Sequence, residues 1–578
     1  MGKPRTRTTA FLLLRLMHGT FLKAVQIKIK RDKKQMTKKI FSGFHAFRPQ
    51  AGWPTVSLSA ALFITLFDNQ HFWHIFLDKL RPDILASWSL LAIMGVALTL
   101  LLNLVFTLFA FRWTFKPFLA LMLLLCANVS YFADTYGVII DKSMIHNILE
   151  TNVAEATELL TWPLLRHLTL YAFVPIALLF LTRVRYFGRK HELFMKSGVI
   201  LGSLALVAGM GFVNYKEITL FGRANKDLEV YINPTHVIHS LKKVVKSRYF
   251  SHKNEPFVTV AEDARRSETG LKEVILLVVG ETARSQSFSL NGYQRNTNPQ
   301  LADEDVISFP DVEACGTATA ESLPCMFSLQ ERDHYSRSLA KRSENLLDIL
   351  NHTGVNVVWR DNDSGSKGVS DRVVYESLSD QTDPRFCNSN NCFDEVLLEG
   401  LEPLLAKASG ANLIILHTKG SHGPSYYKRT PEEFKPFLPE CAQDNVQDCS
   451  QQELVNAYDN TIFYTDHLLS RVIDMLKAQN FATAMLYVSD HGESLGENGI
   501  YLHGLPYSLA PAEQTHVPLI FWANAEFLEE NHIDREALYL ARQATYSHDN
   551  LFHSILGLFN VKTASYQPKL DLFHQAAG

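Results

Sequence analysis

Several common signatures are missing from this chain of 578 residues. It has no glycine-rich GxxxxGK[ST] loop, which excludes the P-loop class of nucleotide hydrolases. Acidic and basic residues nearly cancel, with a formal net charge of −3, so net charge says little about partners, and we expect no nucleic-acid partner. Cysteine is scarce, with seven residues and no C-x-x-C pair, which argues against a structural zinc site.

The cysteines divide unevenly along the chain. Cys126 lies alone in an apolar run and is interpreted as a small buried hydrophobic residue. The other six fall in the second half, and their spacing favours local pairing although other pairings are possible. The expected disulfides are Cys315–Cys325, Cys387–Cys392 and Cys441–Cys449. Disulfides indicate an oxidising compartment.

Acids are almost absent from residues 1–54, which are rich in Lys and Arg. The apolar patch at 11–14 is too short to span a bilayer. Met36 is an alternative start, and we assign no function to residues 1–35. The segment 1–54 is interpreted as a basic cytoplasmic extension.

Five apolar segments of about twenty residues follow, each long enough to cross a bilayer as a helix. They predict a five-helix transmembrane domain over 55–215, with segments near 55–77, 88–111, 117–137, 164–184 and 197–215. The N-terminus and the fourth connector are basic, so both belong in the cytoplasm. An odd number of spans then places the rest of the chain in the periplasm, in agreement with the disulfides. Residues 216–272 are interpreted as amphipathic bridging helices and a linker.

The second half predicts an α/β domain over 273–578 with a mostly parallel central sheet. Apolar runs typical of buried strands lead directly into Glu281, into His417, and into Asp490 and His491. Ligands of open α/β sheets bind beyond the carboxyl ends of the strands, so we expect these side chains on one rim.

Two carboxylates and an imidazole, from Glu281, Asp490 and His491, can hold a zinc ion and leave a fourth place open. Thr319 is a candidate for that place, because it stands in a small-residue turn where a helix can begin. A metal and a positive helix end would both lower the pKa of its hydroxyl. Taken singly, such a Glu or His could equally be a solvated strand end or a surface group.

The motifs around these residues resemble the lipid A phosphoethanolamine transferases. These are membrane enzymes of the alkaline-phosphatase superfamily, and they include the mobilised colistin-resistance enzymes. The resemblance covers roughly residues 55 to 570. It is carried by Gly-Glu281-Thr-Ala-Arg, Asn291-Gly-Tyr, Cys315-Gly-Thr-Ala-Thr319-Ala-x-Ser-x-Pro-Cys325-Met-Phe, His417-Thr-Lys-Gly-Ser-His422-Gly-Pro and Ser-Asp490-His491-Gly-Glu-Ser-Leu-Gly-Glu.

The resemblance implies roles for individual residues. Thr319 would be the nucleophile and carry phosphoethanolamine covalently, and Glu281, Thr319, Asp490 and His491 would hold the catalytic zinc. The positions that match a site for the donor phosphate or for a second zinc are His417, His422 and His503. Ser364 and Lys367 match positions near the substrate phosphate, although Lys367 could be an ordinary loop lysine.

The connector between the third and fourth spans is acidic, and its spacing predicts one helix face with Asn147, Thr151 and Glu155. It could be a solvated amphipathic helix, but the resemblance implies a donor site for a lipid headgroup that carries an amine.

The implied reaction moves phosphoethanolamine from phosphatidylethanolamine to lipid A in the bacterial inner membrane, lowers surface negative charge and gives polymyxin resistance. We expect a monomer. Lipopolysaccharide core sugars or periplasmic glucans as acceptors, and a phosphoglycerol transferase, remain alternatives. A sulfatase would need an Arg where Met326 stands. A non-catalytic membrane sensor is a further alternative, but every expected ligand is present.

Overall fold

The computed structural model describes residues 49–80, 85–151, 153–249, 255–266, 272–388 and 392–574. Residues 1–48 of the expected basic extension lie outside the described part of the chain, and so does the alternative start at Met36. The described chain divides into two units by its contacts. The first comprises Met1–Leu66, Trp88–Leu124 and Leu170–Thr219, and the second comprises Phe67–Ser87, Leu125–Thr169 and Leu220–Gly578.

The apolar segments of the first half form helices. Before the α/β domain the helices are Trp53–Phe67, Gln70–Lys79, Leu85–Leu108, Phe115–Tyr136, Lys142–Glu150, Val153–Glu158, Trp162–Leu181, Arg189–Val213, Tyr215–Ala224 and Thr235–Tyr249. Among the described residues, four are long and apolar enough to cross a membrane. These are Trp88–Leu108, Phe115–Tyr136, Trp162–Leu181 and Arg189–Val213.

The first predicted span, near residues 55–77, is not a single helix of about twenty residues. The chain leaves the helix Trp53–Phe67 at Asp68 and Asn69, and a second helix begins at Gln70. Fifteen residues reach only ~22 Å at 1.5 Å per residue, less than the roughly 30 Å hydrocarbon core of a bilayer. Within the first unit this helix contacts its neighbour through Ser57, whose hydroxyl donates to Asn103 Oδ1 at 2.6 Å.

An eight-stranded sheet forms the centre of the second unit. In chain order its strands are β1 (Glu273–Gly280), β2 (Ile307–Glu313), β3 (Asn356–Asp361), β4 (Val374–Ser377), β5 (Ala411–His417), β6 (Ala482–Ser489), β7 (His516–Ala523) and β8 (Tyr546–Ser547). Their spatial order is β8-β2-β7-β6-β1-β5-β3-β4. From β6 to β4 the neighbours are parallel, whereas β7 is antiparallel to both β6 and β2. The sheet is therefore mixed, where the apolar strands predicted a mostly parallel one.

Helices cover the sheet, and two apolar clusters fill the layers between them. The helices of this part are Thr319–Met326, Arg337–Ala340, Leu346–His352, Leu401–Lys407, Gln451–Lys477, Ala512–Thr515, Ala525–Glu530, Arg535–Ala541 and Asp549–Leu558. Strands β1, β5 and β6 are buried along their whole length, which explains their unbroken apolar sequences.

The predicted linker is in part a packed piece of this domain. Ala261 and Ala264 belong to its core, and Arg265–Arg266 pairs antiparallel with Val561–Lys562. Residues 267–271 lie outside the described part of the chain. The three expected disulfides are present, and Cys126 is a buried free cysteine.

Candidate active site

The ends of the central strands are tied to one another by backbone hydrogen bonds. The N–H of Asp490, after β6, donates to the carbonyl of Gly280 in β1 at 2.9 Å. The N–H of Asn362, after β3, donates to the carbonyl of His417 in β5 at 2.9 Å. Loops that are distant in sequence therefore leave the sheet at one edge, as the strand pattern predicts.

The loop that carries Glu281 is held in an unusual backbone conformation. Thr282 has φ 54°, a left-handed value that is strained for a β-branched residue. The hydroxyl of Tyr458, in the helix Gln451–Lys477, accepts from the N–H of Arg284 at 2.9 Å and donates to the carbonyl of Thr282 at 2.8 Å. A β-carbon on Gly420 would come within 2.6 Å of the Glu281 carbonyl oxygen, so a glycine is required there.

Thr319 is the first residue of the helix Thr319–Met326, as predicted. Its hydroxyl lies 3.0 Å from Oε2 and 3.2 Å from Oε1 of Glu281, and 3.3 Å from Nε2 of His491. The disulfide Cys315–Cys325 joins the preceding loop to the last turn of this helix. The hydroxyl is thus fixed at a positive helix end beside a carboxylate and an imidazole.

His491 presents one nitrogen to this site. Its Nδ1 donates to the carbonyl of Gly492 at 3.0 Å, which fixes the tautomer and leaves Nε2 with its lone pair. Nε2 lies 3.4 Å from both Glu281 Oε1 and Asp490 Oδ2. Among the described residues, Asp490 Oδ2 is buried without a hydrogen-bond partner.

The four side chains fit a divalent cation. One ligand atom each from Glu281, Asp490 and His491 lies within 4.8 Å of the others, and all three residues are fully buried. Burial raises the pKa of Glu281 well above its ordinary value, with the charge of Asp490 as the next cause. Burial likewise raises the pKa of Asp490. A bound cation would offset the cost of burying two carboxylates, and it would explain the unpartnered oxygen.

A second group shares Glu281. It consists of Glu281, Asp363 and His417, whose ligand atoms also lie within 4.8 Å of one another. Asp363 is a residue that sequence reasoning missed as a ligand. The available signal was an acid two residues after the end of β3, beside Ser364.

The acidic connector does not form one continuous helix, in contrast to the prediction. The helix Lys142–Glu150 ends at Thr151, which has an extended backbone, and a new helix begins at Val153. The polar side chains of the connector still meet around one cavity of about 140 Å³. Its lining includes Asn147, Thr151, Glu155, His422 and His503, together with the apolar Phe132, Val138, Ile140, Met144, Ile148, Leu159 and Leu502.

Two titratable groups that line this cavity, Glu155 and His503, have raised pKa values. Burial and then the charge of Asp363 raise the pKa of Glu155 to about 7. His503 Nδ1 lies 2.9 Å from Glu493 Oε2, and Glu493 also accepts from Tyr426. Burial opposes a charge on His503, but Glu493 outweighs it, so the pKa of His503 is raised. Glu493 is a second residue whose role the motif alone did not indicate.

Ion pairs hold the connector against the α/β domain. Arg337 binds both carboxylate oxygens of Glu150 at 2.5 and 2.6 Å. Arg429, almost fully buried, contacts Glu158 at 2.6 Å and donates to the carbonyl of His422 at 2.9 Å. The connector thus completes the cavity by contacts with loops far along the chain.

Two family models match parts of this chain. A family described as Sulfatase matches residues 273–561, and one described as Phosphoethanolamine transferase EptA/EptB matches residues 98–249. Phosphoethanolamine transferase EptA of Escherichia coli K12 is 40% identical over 91% of this chain and 97% of its own length. The chain belongs to the phosphoethanolamine transferase family. Phosphatidylethanolamine transferase Mcr-1 of Escherichia coli is 37% identical over 87% of this chain and 94% of its own length.

The solved structure of a membrane protein is similar to this chain over most of its length. The integral membrane protein lipooligosaccharide phosphoethanolamine transferase A (EptA) of Neisseria meningitidis superposes with a TM-score of 0.87. It is 32% identical and covers 91% of this chain and 99% of its own. The protein is therefore a membrane-type transferase with a sulfatase-like α/β domain.

In this transferase, Ser364 and Lys367 line a different cavity from the one that Asn147, Thr151 and Glu155 line. Lys367 Nζ lies 2.5 Å from Ser364 Oγ, and both line a space of about 350 Å³ with Glu150, Lys341 and Arg372. His516, the first residue of β7, pairs with Asp311 at 3.4 Å and lines neither cavity.

Proposed function

We propose that this chain transfers phosphoethanolamine from phosphatidylethanolamine to lipid A, with Thr319 as the nucleophile. One observation carries the proposal: the Thr319 hydroxyl lies at a helix start and within 3.3 Å of Glu281 and His491. Beside it, an oxygen of Asp490 is buried and has no hydrogen-bond partner among the described residues. Family membership supports the transferred group, since the relatives are named phosphoethanolamine transferases.

Zinc is the proposed metal. The donors are two carboxylates, one imidazole and one hydroxyl, and carboxylate oxygens and imidazole nitrogens are among the ligands that bind Zn²⁺ in proteins. The residues that would hold it are Glu281, Thr319, Asp490 and His491. When bound, zinc would lower the pKa of the Thr319 hydroxyl and neutralise charge on the phosphoryl group.

Two displacements at phosphorus make up the reaction. In the first, Thr319 Oγ1 attacks the donor phosphorus, its proton is directed at Glu281, and the bond to diacylglycerol breaks. Diacylglycerol leaves with a proton, and phosphoethanolamine stays on Thr319 as a phosphodiester. In the second, a phosphate oxygen of lipid A loses its proton and attacks the same phosphorus, the bond to Thr319 breaks, and the Thr319 oxygen takes up that proton.

The connector cavity is the proposed donor site. Its apolar side chains suit the glycerol and first acyl carbons, while Glu155 offers a carboxylate to the ammonium group. His503, whose charge Glu493 supports, and His422 lie at the same cavity and would contact phosphate oxygens. Ser364 and Lys367 would bind phosphate from the neighbouring cavity.

We place the protein in the bacterial inner membrane with a cytoplasmic N-terminus. A periplasmic α/β domain then needs an odd number of crossings, so the short helix Trp53–Phe67 would make a fifth crossing in addition to the four longer helices. Residues 55–215 would span the membrane, 216–272 would bridge, and 273–578 would work in the periplasm as a monomer. The disulfides support an oxidising compartment. Phosphoethanolamine on lipid A would reduce surface negative charge and weaken the binding of cationic polymyxins.

Mass spectrometry of lipid A tests the proposal. A polymyxin-sensitive Gram-negative host would express the wild-type chain or Thr319→Ala, with membrane insertion verified for both. We expect a phosphoethanolamine increment on lipid A with the wild type alone. Absence of the increment from a correctly inserted wild-type protein would overturn lipid A as acceptor and direct the search to core sugars and glucans. An increment that survives in Thr319→Ala would overturn the covalent mechanism.

A further inference from the structure

A basic cavity of about 350 Å³ adjoins the proposed donor cavity. Glu150, the last residue of the connector helix, lines the basic cavity, and the next residue, Thr151, lines the donor cavity. The charged residues that line the basic cavity are Glu150, Lys341, Lys367, Asp371 and Arg372. The proposed donor site uses Lys367 alone of the three cations, so Lys341 and Arg372 have no role in it.

One wall of the basic cavity leads to the nucleophile. The hydroxyl of Ser364, which lines the cavity, donates to Oδ2 of Asp363 at 2.8 Å. Asp363 in turn has a carboxylate oxygen within 4.8 Å of a ligand atom of Glu281, whose carboxylate contacts the Thr319 hydroxyl. A group bound in the cavity would therefore lie close to the phosphorus that Thr319 carries.

Arg372 is held with part of its guanidinium group open to a ligand. Its Nε and Nη2 donate to the two carboxylate oxygens of Asp348 at 2.7 and 2.6 Å. Asp348 is buried and belongs to the capping box of the helix Leu346–His352, so a rigid element fixes the orientation of the guanidinium group. In the part of the chain that the structure describes, Nη1 has no hydrogen-bond partner, and the side chain is 38% exposed. Such a fixed fork suits a phosphate oxygen because little side-chain freedom is lost on binding.

The two lysines keep N–H groups for an anion. Lys341 is half-exposed and lies 3.3 Å from Glu150, but Arg337 already binds both oxygens of that carboxylate. Lys367 donates to the carbonyl of Ser364 at 3.0 Å and also to its hydroxyl. Each ammonium group has three donors, so at least one on each lysine is left for another ligand. Lys367 also has φ 53°, a left-handed backbone value of the kind that clusters at ligand sites.

We propose that the basic cavity binds a phosphate group of the acceptor, with Lys341 and Arg372 as the residues that recognise it. Three lining cations face two acids, and one of these acids, Glu150, is already bound by Arg337, so the cavity favours an anion. A phosphate group offers several oxygens to the fork of an arginine and to the ammonium groups of lysines. The proposal rests on the proposed function and adds the site of the second substrate.

A separate acceptor site suits a transfer in two steps. Phosphoethanolamine stays on Thr319 with its ethanolamine at the donor cavity, so the acceptor has to approach from another side. From the basic cavity, an oxygen of the acceptor phosphate would form the new bond to phosphorus as the bond to Thr319 breaks, and the proton of that phosphate would pass to the Thr319 oxygen.

Measuring the two steps separately tests the acceptor site. The full chain in detergent would receive a fluorescent phosphatidylethanolamine, and the initial burst of diacylglycerol without acceptor would report the first step. Transfer to lipid A at increasing concentrations would give kcat/KM for the acceptor. In Lys341→Gln and Arg372→Gln we expect kcat/KM for lipid A to fall by roughly tenfold or more, because each loses a charge-assisted hydrogen bond. The burst and kcat/KM for the donor should stay unchanged.

Matched variants outside the cavity provide the controls. Lys477 is a half-exposed lysine paired with Glu304, and Arg385 is an exposed arginine paired with Asp383. Lys477→Gln and Arg385→Gln should keep the wild-type kcat/KM for lipid A. Arg372→Lys keeps the charge without the fork and should fall between the wild type and Arg372→Gln.

An unchanged kcat/KM for lipid A in both Lys341→Gln and Arg372→Gln would overturn the acceptor site and leave the proposed function standing. An equal fall in kcat/KM for the donor would also overturn it, because the cavity would then serve donor binding or act through the fold. If Arg372→Gln fails to fold once Asp348 loses its partner, Lys341→Gln decides, since Lys341 is half-exposed. A wild-type chain that gives the diacylglycerol burst but no product on lipid A would overturn lipid A as acceptor, and this site with it.

Discussion

The hydroxyl of Thr319 lies 3.0 Å from Oε2 of Glu281, although the two residues are 38 positions apart. Glu281 directly follows a central strand and Thr319 begins a helix, so each is positioned by a rigid element. A rigid hydroxyl beside buried acids is poised for attack because little rearrangement is needed on binding.

We expect the transfer rate to depend on the hydroxyl group of Thr319 and not on the branched shape of its side chain. Thr319→Val keeps the branched shape and should lower the transfer rate by roughly 10³-fold or more. Thr319→Ser keeps the hydroxyl and should stay within about tenfold of the wild type. The measurement is phosphoethanolamine release from a labelled phosphatidylethanolamine in detergent. Equal rates for Val and Ser would contradict a nucleophilic role.

Donor binding should depend on pH through Glu155. Burial and Asp363 raise the pKa of Glu155 to about 7, so the carboxylate is protonated below that value and charged above it. Only the charged form attracts an ammonium group, so KM for the donor should fall as pH rises through about 7. In Glu155→Gln, KM for the donor should be higher, and its fall with rising pH should be lost.

The raised pKa of Glu155 also affects the stability of the fold. Donor binding should improve as pH rises, whereas this contribution to stability should decrease. A carboxyl whose pKa is raised by folding binds its proton more tightly in the folded than in the unfolded state, so its contribution to stability declines as pH rises from about 4.5 to about 7. Glu155→Gln should therefore reduce the loss of melting temperature over that window. An unchanged pH profile of both KM and melting temperature would show that Glu155 does not titrate there.

Tyr458 should act as a brace for the Glu281 loop. Tyr458→Phe would leave the buried N–H of Arg284 and the carbonyl of Thr282 without their partner, at a cost of roughly 1–3 kcal/mol each. We expect a lower melting temperature and a lower kcat, with zinc still bound. The control is Tyr464→Phe on the same helix, where the hydroxyl accepts from the N–H of Glu395. That variant should lose stability but keep kcat, and equal loss of kcat in both would contradict a specific brace.

The ion pair of Arg429 with Glu158 should stabilise the connector. The Arg429 side chain is 2% exposed, so Glu158→Gln removes the carboxylate charge that offsets a buried guanidinium charge, at a cost of roughly 1.5–3 kcal/mol. The exposed Lys341, 3.3 Å from Glu150, gives a control, and Lys341→Gln should cost no more than about 1 kcal/mol. Thermal unfolding of the detergent-solubilised chain measures both, and equal costs would show that the buried pair has no special role.

Much of the active site could be predicted because strand ends are visible in sequence. The apolar runs before Glu281, His417 and Asp490 indicate buried strands, and parallel strands bring their carboxyl ends to one edge. The antiparallel β7 could not be predicted in the same way, since an apolar run carries no sign of its direction in the sheet. Local periodicity also failed for the connector, where Thr151 ends one helix instead of continuing it.

The sequence by itself determined the chemistry of this protein: the acids and histidines at strand ends, the threonine at a helix start, and the paired cysteines. These depend on residue type and short-range spacing, which the chain displays directly. Only the tertiary structure decided that the connector is held beside its cavity of about 140 Å³ through Glu158 and Arg429, 271 residues apart. It also decided that Asp363 and His417 meet at Glu281. Such contacts depend on how strands are ordered in the sheet, which is set by packing of the whole domain and not by any local pattern.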